Sequence, residues 1–153
     1  LERFNFVTVF DLLIEYLKSG RIQVDPNRFT RRITYHDPCN YGRRAQKRFG
    51  HGFFKEPRWI LRRCVKEWVD LYPTADNQIC CGGGGGALVN GFTDERIHYA
   101  RRKMDQIRAT GADMVVMPCH SCHGQLNAVQ ANYAMDDLTI KYLWELVADC
   151  LVW

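Results

Sequence analysis

Met114-Val115-Val116-Met117-Pro118-Cys119 is the stretch that decides how this chain folds. Four apolar residues with no polar alternation read as a strand buried on both faces, the kind used by parallel sheets. Pro118 has no amide hydrogen to give to a strand ladder, so the strand stops there and delivers Cys119 at its carboxyl end. The same ending occurs upstream. Arg32-Ile33-Thr34-Tyr35, rich in β-branched and aromatic residues, runs into His36-Asp37-Pro38-Cys39. Gln78-Ile79-Cys80 reads as the tip of a third, very short strand, followed by Cys81 and the five glycines Gly82 to Gly86.

Helical patterns fill the intervals. Phe6, Phe10, Leu13, Ile14 and Leu17 recur at helical spacing and Gly20 stops them, which places an N-terminal helix within residues 1–20 that is already under way at Leu1. A second helix starts near Glu56-Pro57, with Ile60, Leu61, Cys64, Val65 and Trp68 on its apolar face. A third takes Thr93 as its N-cap and runs to about Thr110. Ile97, Ala100, Met104 and Ile107 form its inner stripe, with Arg101, Arg102, Lys103 and Arg108 outside. A fourth begins near Cys122 and continues through Leu126 and Val129. A last one, within 138–153, holds Tyr142, Leu143, Leu146, Val147, Cys150 and Leu151. One helix, three strand–helix units and a final helix predict an α/β fold: a small parallel sheet with flanking helices and cysteines at the C-terminal ends of the strands. Residues 1–153 form one domain, with its motifs in 30–130. A first residue other than Met, within a helical pattern, points to an excerpt of a longer polypeptide.

With 153 residues, 46% of them hydrophobic, the chain can bury a core of its own. Its apolar runs are too short to span a membrane. Seven cysteines is an odd count, and no basic-then-apolar leader opens the sequence. Both features lean towards a reducing, cytoplasmic setting, where cysteine patterns signal metal or catalysis more often than disulfides. The formal net charge is +4. Basic residues crowd the first half, from Arg28 through Arg43, Arg44, Arg58, Arg62 and Arg63 to Lys66. No nucleic-acid motif accompanies them, so no nucleic-acid partner is expected. A solvated basic face accounts for them first, and a docking surface for an acidic redox partner or an anionic substrate second.

If the three strands are neighbours, Cys39, Cys80, Cys81, Cys119 and Cys122 meet at one rim. Cys64 and Cys150 fall on apolar helical stripes instead and read as small core hydrophobes. Adjacent cysteines bond to each other only with strain, which argues against a disulfide. Structural zinc takes four ligands, typically as two spaced pairs, and here one pair is adjacent and one thiol is surplus. Cys119-His120-Ser121-Cys122-His123 matches the C-x-x-C-H pattern of a c-type haem but leaves three cysteines unused. An iron–sulfur cluster accommodates all five thiolates and needs backbone N–H donors, which Gly82, Gly83 and Gly84 can supply as a nest. The residue pattern favours the cluster, with zinc, haem and unligated redox thiols as the alternatives. The glycine run lacks the Lys-Ser/Thr of a phosphate loop.

Cys39, then Cys80-Cys81-Gly82, then Cys119-x-x-Cys122 resembles the cysteine-rich CCG domain found in the B- and D-type subunits of the heterodisulfide reductase family. The phrases Thr34-Tyr35-His36-Asp37-Pro38-Cys39 and Pro118-Cys119-His120-Ser121-Cys122-His123 look most like the D-like branch, which includes subunits of sulfate- and sulfur-metabolising redox complexes. The resemblance implies a non-cubane [4Fe-4S] cluster on Cys39, Cys80, Cys81, Cys119 and Cys122, serving electron transfer and disulfide/thiol redox chemistry as part of an oxidoreductase. It implies an iron–sulfur or flavin electron-donor subunit, a membrane cytochrome subunit, a disulfide-type small-molecule substrate and a place at the cytoplasmic face of the membrane. His36, His120 and His123 are the candidate proton donors to a departing thiolate. The chain carries one such motif and lacks ferredoxin-like cysteine runs, so it is expected to be an excerpt of a longer iron–sulfur protein. The alternative function is a non-catalytic zinc-binding or partner-docking module.

Overall fold

Ile33–Tyr35 (β1) and Met114–Met117 (β3) are the two inner strands of the sheet in a computed structural model that describes residues 4–153. Both are buried along their whole length, as an uninterrupted apolar run requires. Side chains alternate across a strand, so Ile33, Tyr35, Met114 and Val116 join one core while Val115 and Met117 join another. The sheet has four strands in the order β2-β1-β3-β4, all parallel. The outer strands are Trp68–Asp70 (β2) and Thr139–Tyr142 (β4), both half-buried.

Among the described residues, six α-helices accompany the sheet. Val9–Lys18 (α1), Lys55–Cys64 (α3) and Leu143–Cys150 (α6) cover one face, where Phe10, Ile60, Leu61, Cys64, Leu146 and Cys150 close the first core. Thr93–Ala109 (α4) and His120–Val129 (α5) cover the other, burying Ala100, Met104, Ile107, Leu126 and Val129. The short α2 (Ala45–Phe49) follows a π-helical turn at Asn40–Arg44. Cys64 and Cys150 lie in the first core as the sequence indicates, the Cys150 thiol donating to the Cys64 carbonyl at 3.2 Å.

Several boundaries differ from expectation. Gln78-Ile79-Cys80 is not a strand; the strand on that side of β1 is Trp68–Asp70. Trp68 therefore leaves the second helix, which ends at Cys64 with Val65 extended. The last segment is a strand and then a helix: Thr139–Tyr142 pairs with β3 before α6 begins. The first helix starts at Val9, where Thr8 caps it and Asp11 reciprocates, so Phe6 lies before it and exposed; Leu1 is outside the described residues. Thr93 is the first helical residue rather than the cap, and its neighbour Phe92 caps without a side-chain bond. Lys103 does not lie outside the α4 stripe: it is 0% exposed. Arg58 leaves the solvated basic face for a part-buried ion-pair network. No described helix is long and apolar enough to cross a membrane.

Candidate metal centre

The carboxyl ends of β1 and β3 point at the same rim, and each hands its chain straight to a cysteine. After β1, Asp37 is 2% exposed and accepts a two-pronged hydrogen bond from Arg58, at 2.8 Å to each oxygen. Arg58 also holds Asp70 at the end of β2, the Thr74 hydroxyl and the Phe54 carbonyl. A planar guanidinium can serve several acceptors at once, so this one residue ties the two strand ends to α3. Cys39 comes next, at the mouth of the π-helical turn, in which the Gly42 and Arg44 amides donate back to the Pro38 and Cys39 carbonyls. Such turns recur at functional sites. After β3, Cys119 is the N-cap of α5, and the Ser121 and Cys122 amides donate to its sulfur.

Cys80 and Cys81 arrive by a loop rather than a strand. Arg43 from the π-helical turn donates to the Asp76 and Gln78 carbonyls, at 3.1 and 2.7 Å, and so pins that loop beside Cys39. The glycines then bring the chain hard against α5. Gly82 has a φ of +88°, and a Cβ at Gly83 would lie 2.6 Å from Gln125 Cβ and 2.8 Å from the Ser121 carbonyl oxygen. Gln125 is fully buried and accepts from Arg96 at 2.6 Å. The Gly82 amide lies 3.3 Å from the Cys80 sulfur, and the Gly83 amide donates to Cys81. Gly84, by contrast, faces open space.

The five thiols influence one another as neighbours: Cys39 with Cys80, Cys80 with Cys81, and Cys122 with both Cys81 and Cys119, the Cys81 and Cys122 sulfurs lying 3.3 Å apart. Proton sharing splits them into two kinds. The Cys39 and Cys81 thiols and the Gly82 amide hold Cys80 far below the ordinary thiol range. Cys119 falls to about 6, chiefly through the Cys122 thiol and then the amides at the start of α5. Cys122 is pushed up by the neighbouring Cys119 and Cys81 sulfurs and by burial, as is Cys39 by Cys80 and burial. Five thiolates this close cannot coexist without compensating positive charge. Four of the sulfurs are buried or half-buried, and Cys80 is exposed at a cavity of about 570 Å³ lined by Pro73, Gln78, Tyr99 and Arg102.

The three histidines part company. His36 is buried, neither ring nitrogen has a partner, and a ring nitrogen lies within 4.8 Å of the Cys81 and Cys122 sulfurs. Burial, then the nearby Lys103 charge, holds it neutral. His120 and His123 sit at the surface end of α5 around Tyr142. His123 stacks on the phenol ring at 4.1 Å between centroids, and His120 Nδ1 shares a 2.6 Å hydrogen bond with its hydroxyl. Sequence reasoning missed Arg58, Gln125, Tyr142 and Lys103. The last was legible, because Ala100, Lys103 and Ile107 are spaced three and four apart on one helical face.

The donor set fits a multi-iron cluster. Five sulfurs exceed a tetrahedral zinc site, two backbone amides already face them, and the orphaned His36 nitrogens border the same space.

Residues 33–127 match the family model described as the CCG cysteine-rich domain. A probable membrane-anchored ferredoxin of Chromohalobacter salexigens is 31% identical over 90% of this chain and 19% of its own length. An Hdr-like menaquinol oxidoreductase iron-sulfur subunit of Archaeoglobus profundus is 27% identical over 97% of the chain and 27% of its own length. The D-type subunit of the dihydromethanophenazine:CoB--CoM heterodisulfide reductase of Methanosarcina mazei is 29% identical over 97% and 34%. The chain thus spans between about a fifth and a third of these relatives. With its residues aligned to the model over both strand ends and the Cys-Cys-Gly turn, the chain belongs to the CCG cysteine-rich domain family.

Proposed function

We propose that this chain is the iron–sulfur module of a heterodisulfide-reductase-like subunit, with Cys39, Cys80, Cys81, Cys119 and Cys122 holding a non-cubane [4Fe-4S] cluster. The observation that carries the proposal is the gathering of five mutually influencing thiols from three separate segments, with the Cys81 and Cys122 sulfurs 3.3 Å apart. When bound, such a cluster supplies one-electron transfer to the sulfur of a disulfide. The protein's own residues do the rest. The Gly82 and Gly83 amides offset negative charge at the sulfurs, with Gly84 the next donor of the same run. The cavity at Cys80 admits a small disulfide to the exposed edge of the site. His120, exposed, and His123, half-exposed, flank Cys119 and Cys122 in sequence and would protonate a departing thiolate, whereas His36 is sealed inside. An iron–sulfur or flavin partner supplies the electrons, and a membrane cytochrome would place the complex at the cytoplasmic face; two of the relatives are named as a membrane-anchored ferredoxin and an iron-sulfur component of a menaquinol oxidoreductase.

Anaerobic reconstitution followed by iron and acid-labile sulfide analysis and EPR tests this. About four irons per chain are expected, falling by at least half in Cys81→Ala. One tightly held zinc with no iron under any condition would instead establish the zinc module.

A further inference from the structure

Lys103 is fully buried on α4, and its ammonium donates to Gln106, whose own amide donates to the Pro73 carbonyl at 2.7 Å. Among the described residues no carboxylate lies within ion-pairing distance of it. Asp37, the buried acid it feels, is already bound in two-pronged fashion by Arg58. The other groups whose charged forms would favour its charge are the candidate ligands Cys81, Cys122 and Cys80. An ammonium taken out of water without a counter-charge is strongly disfavoured. Once they bind a metal centre as thiolates, these sulfurs become the anions that answer it, since His36 beside them is neutral.

We infer that Lys103 is the fixed buried cation of the cluster site, a positioning residue that compensates the negative charge of the five-sulfur centre and raises its reduction potential. This rests on the cluster assignment above. Gaining an electron adds one negative charge to the centre, and a nearby ammonium, whose pKa burial draws down to about 8 and which still prevails at neutral pH, favours that form. At an effective dielectric of about 20, a unit charge about 10 Å away alters a one-electron equilibrium by more than tenfold. Lys103 touches neither substrate nor solvent, so its influence is electrostatic. Gln106 fixes where the charge sits.

The test is an EPR-monitored redox titration of the native chain, Lys103→Met and Lys103→Arg, with iron and sulfide measured on each sample. At the potential that half-reduces the native centre, Lys103→Met is expected to show a reduced-to-oxidised ratio at least tenfold lower, equivalent to about 59 mV for a one-electron couple. Lys103→Arg, which keeps the charge, should stay within about threefold of native on the same reasoning. An unchanged ratio in fully loaded Lys103→Met overturns the inference. If Lys103→Met fails to load, Lys103→Gln takes its place. Loading of the Arg variant at near-native potential, with both neutral variants empty, still supports a requirement for charge; an Arg variant as empty as the neutral ones shows that packing alone is at stake and overturns it. A native chain without iron removes the cluster assignment itself and this inference with it, an outcome distinct from a loaded pair with identical potentials.

Discussion

Gly83→Ala isolates the closest approach in the site. A methyl at this position meets Gln125 Cβ at 2.6 Å and the Ser121 carbonyl oxygen at 2.8 Å, against about 3.5–4.0 Å for comfortable carbon contacts. Neither neighbour is a loose side-chain end. Ser121 O belongs to the α5 backbone, and Gln125 is buried and clamped by Arg96. Relief therefore requires the Cys81–Gly83 segment to back away from α5 by about 1 Å, which is the spacing deficit just given. Overpacking of this kind costs roughly 1–3 kcal/mol, and rigid neighbours put it at about 2–3. In a chain of this size that lowers the unfolding temperature by roughly 4–12 °C. The retreat also draws the Gly83 amide and the Cys81 thiol away from Cys122, so iron loading should fall in parallel. Gly84→Ala is the control: nothing lies within 4 Å and its φ is not positive, so its stability should match native or rise by about 0.4–1 kcal/mol. Circular dichroism melts under anaerobic conditions, with iron counted on the same samples, compare the two. If both alanine variants melt together, the close packing of the Cys-Cys-Gly turn on α5 is not what fixes the loop.

Two further perturbations address the frame around the thiols. Arg58→Met strands Asp37 as a buried, unpaired carboxylate and should cost about 3–5 kcal/mol in urea unfolding, with Arg58→Lys intermediate because one ammonium cannot serve both forks; a loss under about 1 kcal/mol for the Met variant would dismiss the clamp. His36 is held neutral in the folded chain, chiefly by burial, so its folded pKa lies well below the ordinary 6.5 while the unfolded chain takes up a proton near that value. The unfolded state then binds more protons below about pH 6.5, and stability, undiminished above that pH, should fall by up to about 1.4 kcal/mol per unit as pH drops. His36→Gln should flatten that limb, and urea midpoints measured from about pH 7 to 5 that decline equally in both proteins would show that His36 is not its source.

What the sequence revealed and what it hid follow from the same physics. The inner strands were legible because burial on both faces leaves an unbroken apolar run, and both ended in Pro-Cys. The outer strands were not. Trp68 stands four residues after Cys64, so it continues a helical stripe as well as it begins a three-residue strand. Thr139–Tyr142 carries Lys141 and flows into Leu143 without a break, and a half-buried edge gives no clean alternation. Cys80 and Cys81 were placed at the right rim for the wrong reason. No strand delivers them; Arg43 and the Gly83–Gln125 packing do, and long-range contacts of that kind leave no periodic trace. Lys103 was misplaced because charge was weighed above spacing, although a helix cannot turn position 103 away from the face shared by Ala100 and Ile107.

That misplaced lysine bears on why the site exists at all. Positive potential reaches the five sulfurs from three independent directions: the amides of Gly82 and Gly83, the first turn of α5 at Cys119, and the buried ammonium of Lys103. Each is unfavourable unless answered by negative charge, since glycines in a positive-φ turn lose backbone entropy and a buried lysine loses its hydration. Neutral thiols would answer none of them. Thiolates alone would repel one another at these separations, with Cys81 and Cys122 3.3 Å apart. Only a centre that binds several thiolates together while remaining anionic overall satisfies both demands, and among the metal groups that take five sulfurs an iron–sulfur cluster is that kind of centre. A single zinc ion with four thiolates would also relieve the repulsion and stay anionic, but it would leave one of the five sulfurs unligated.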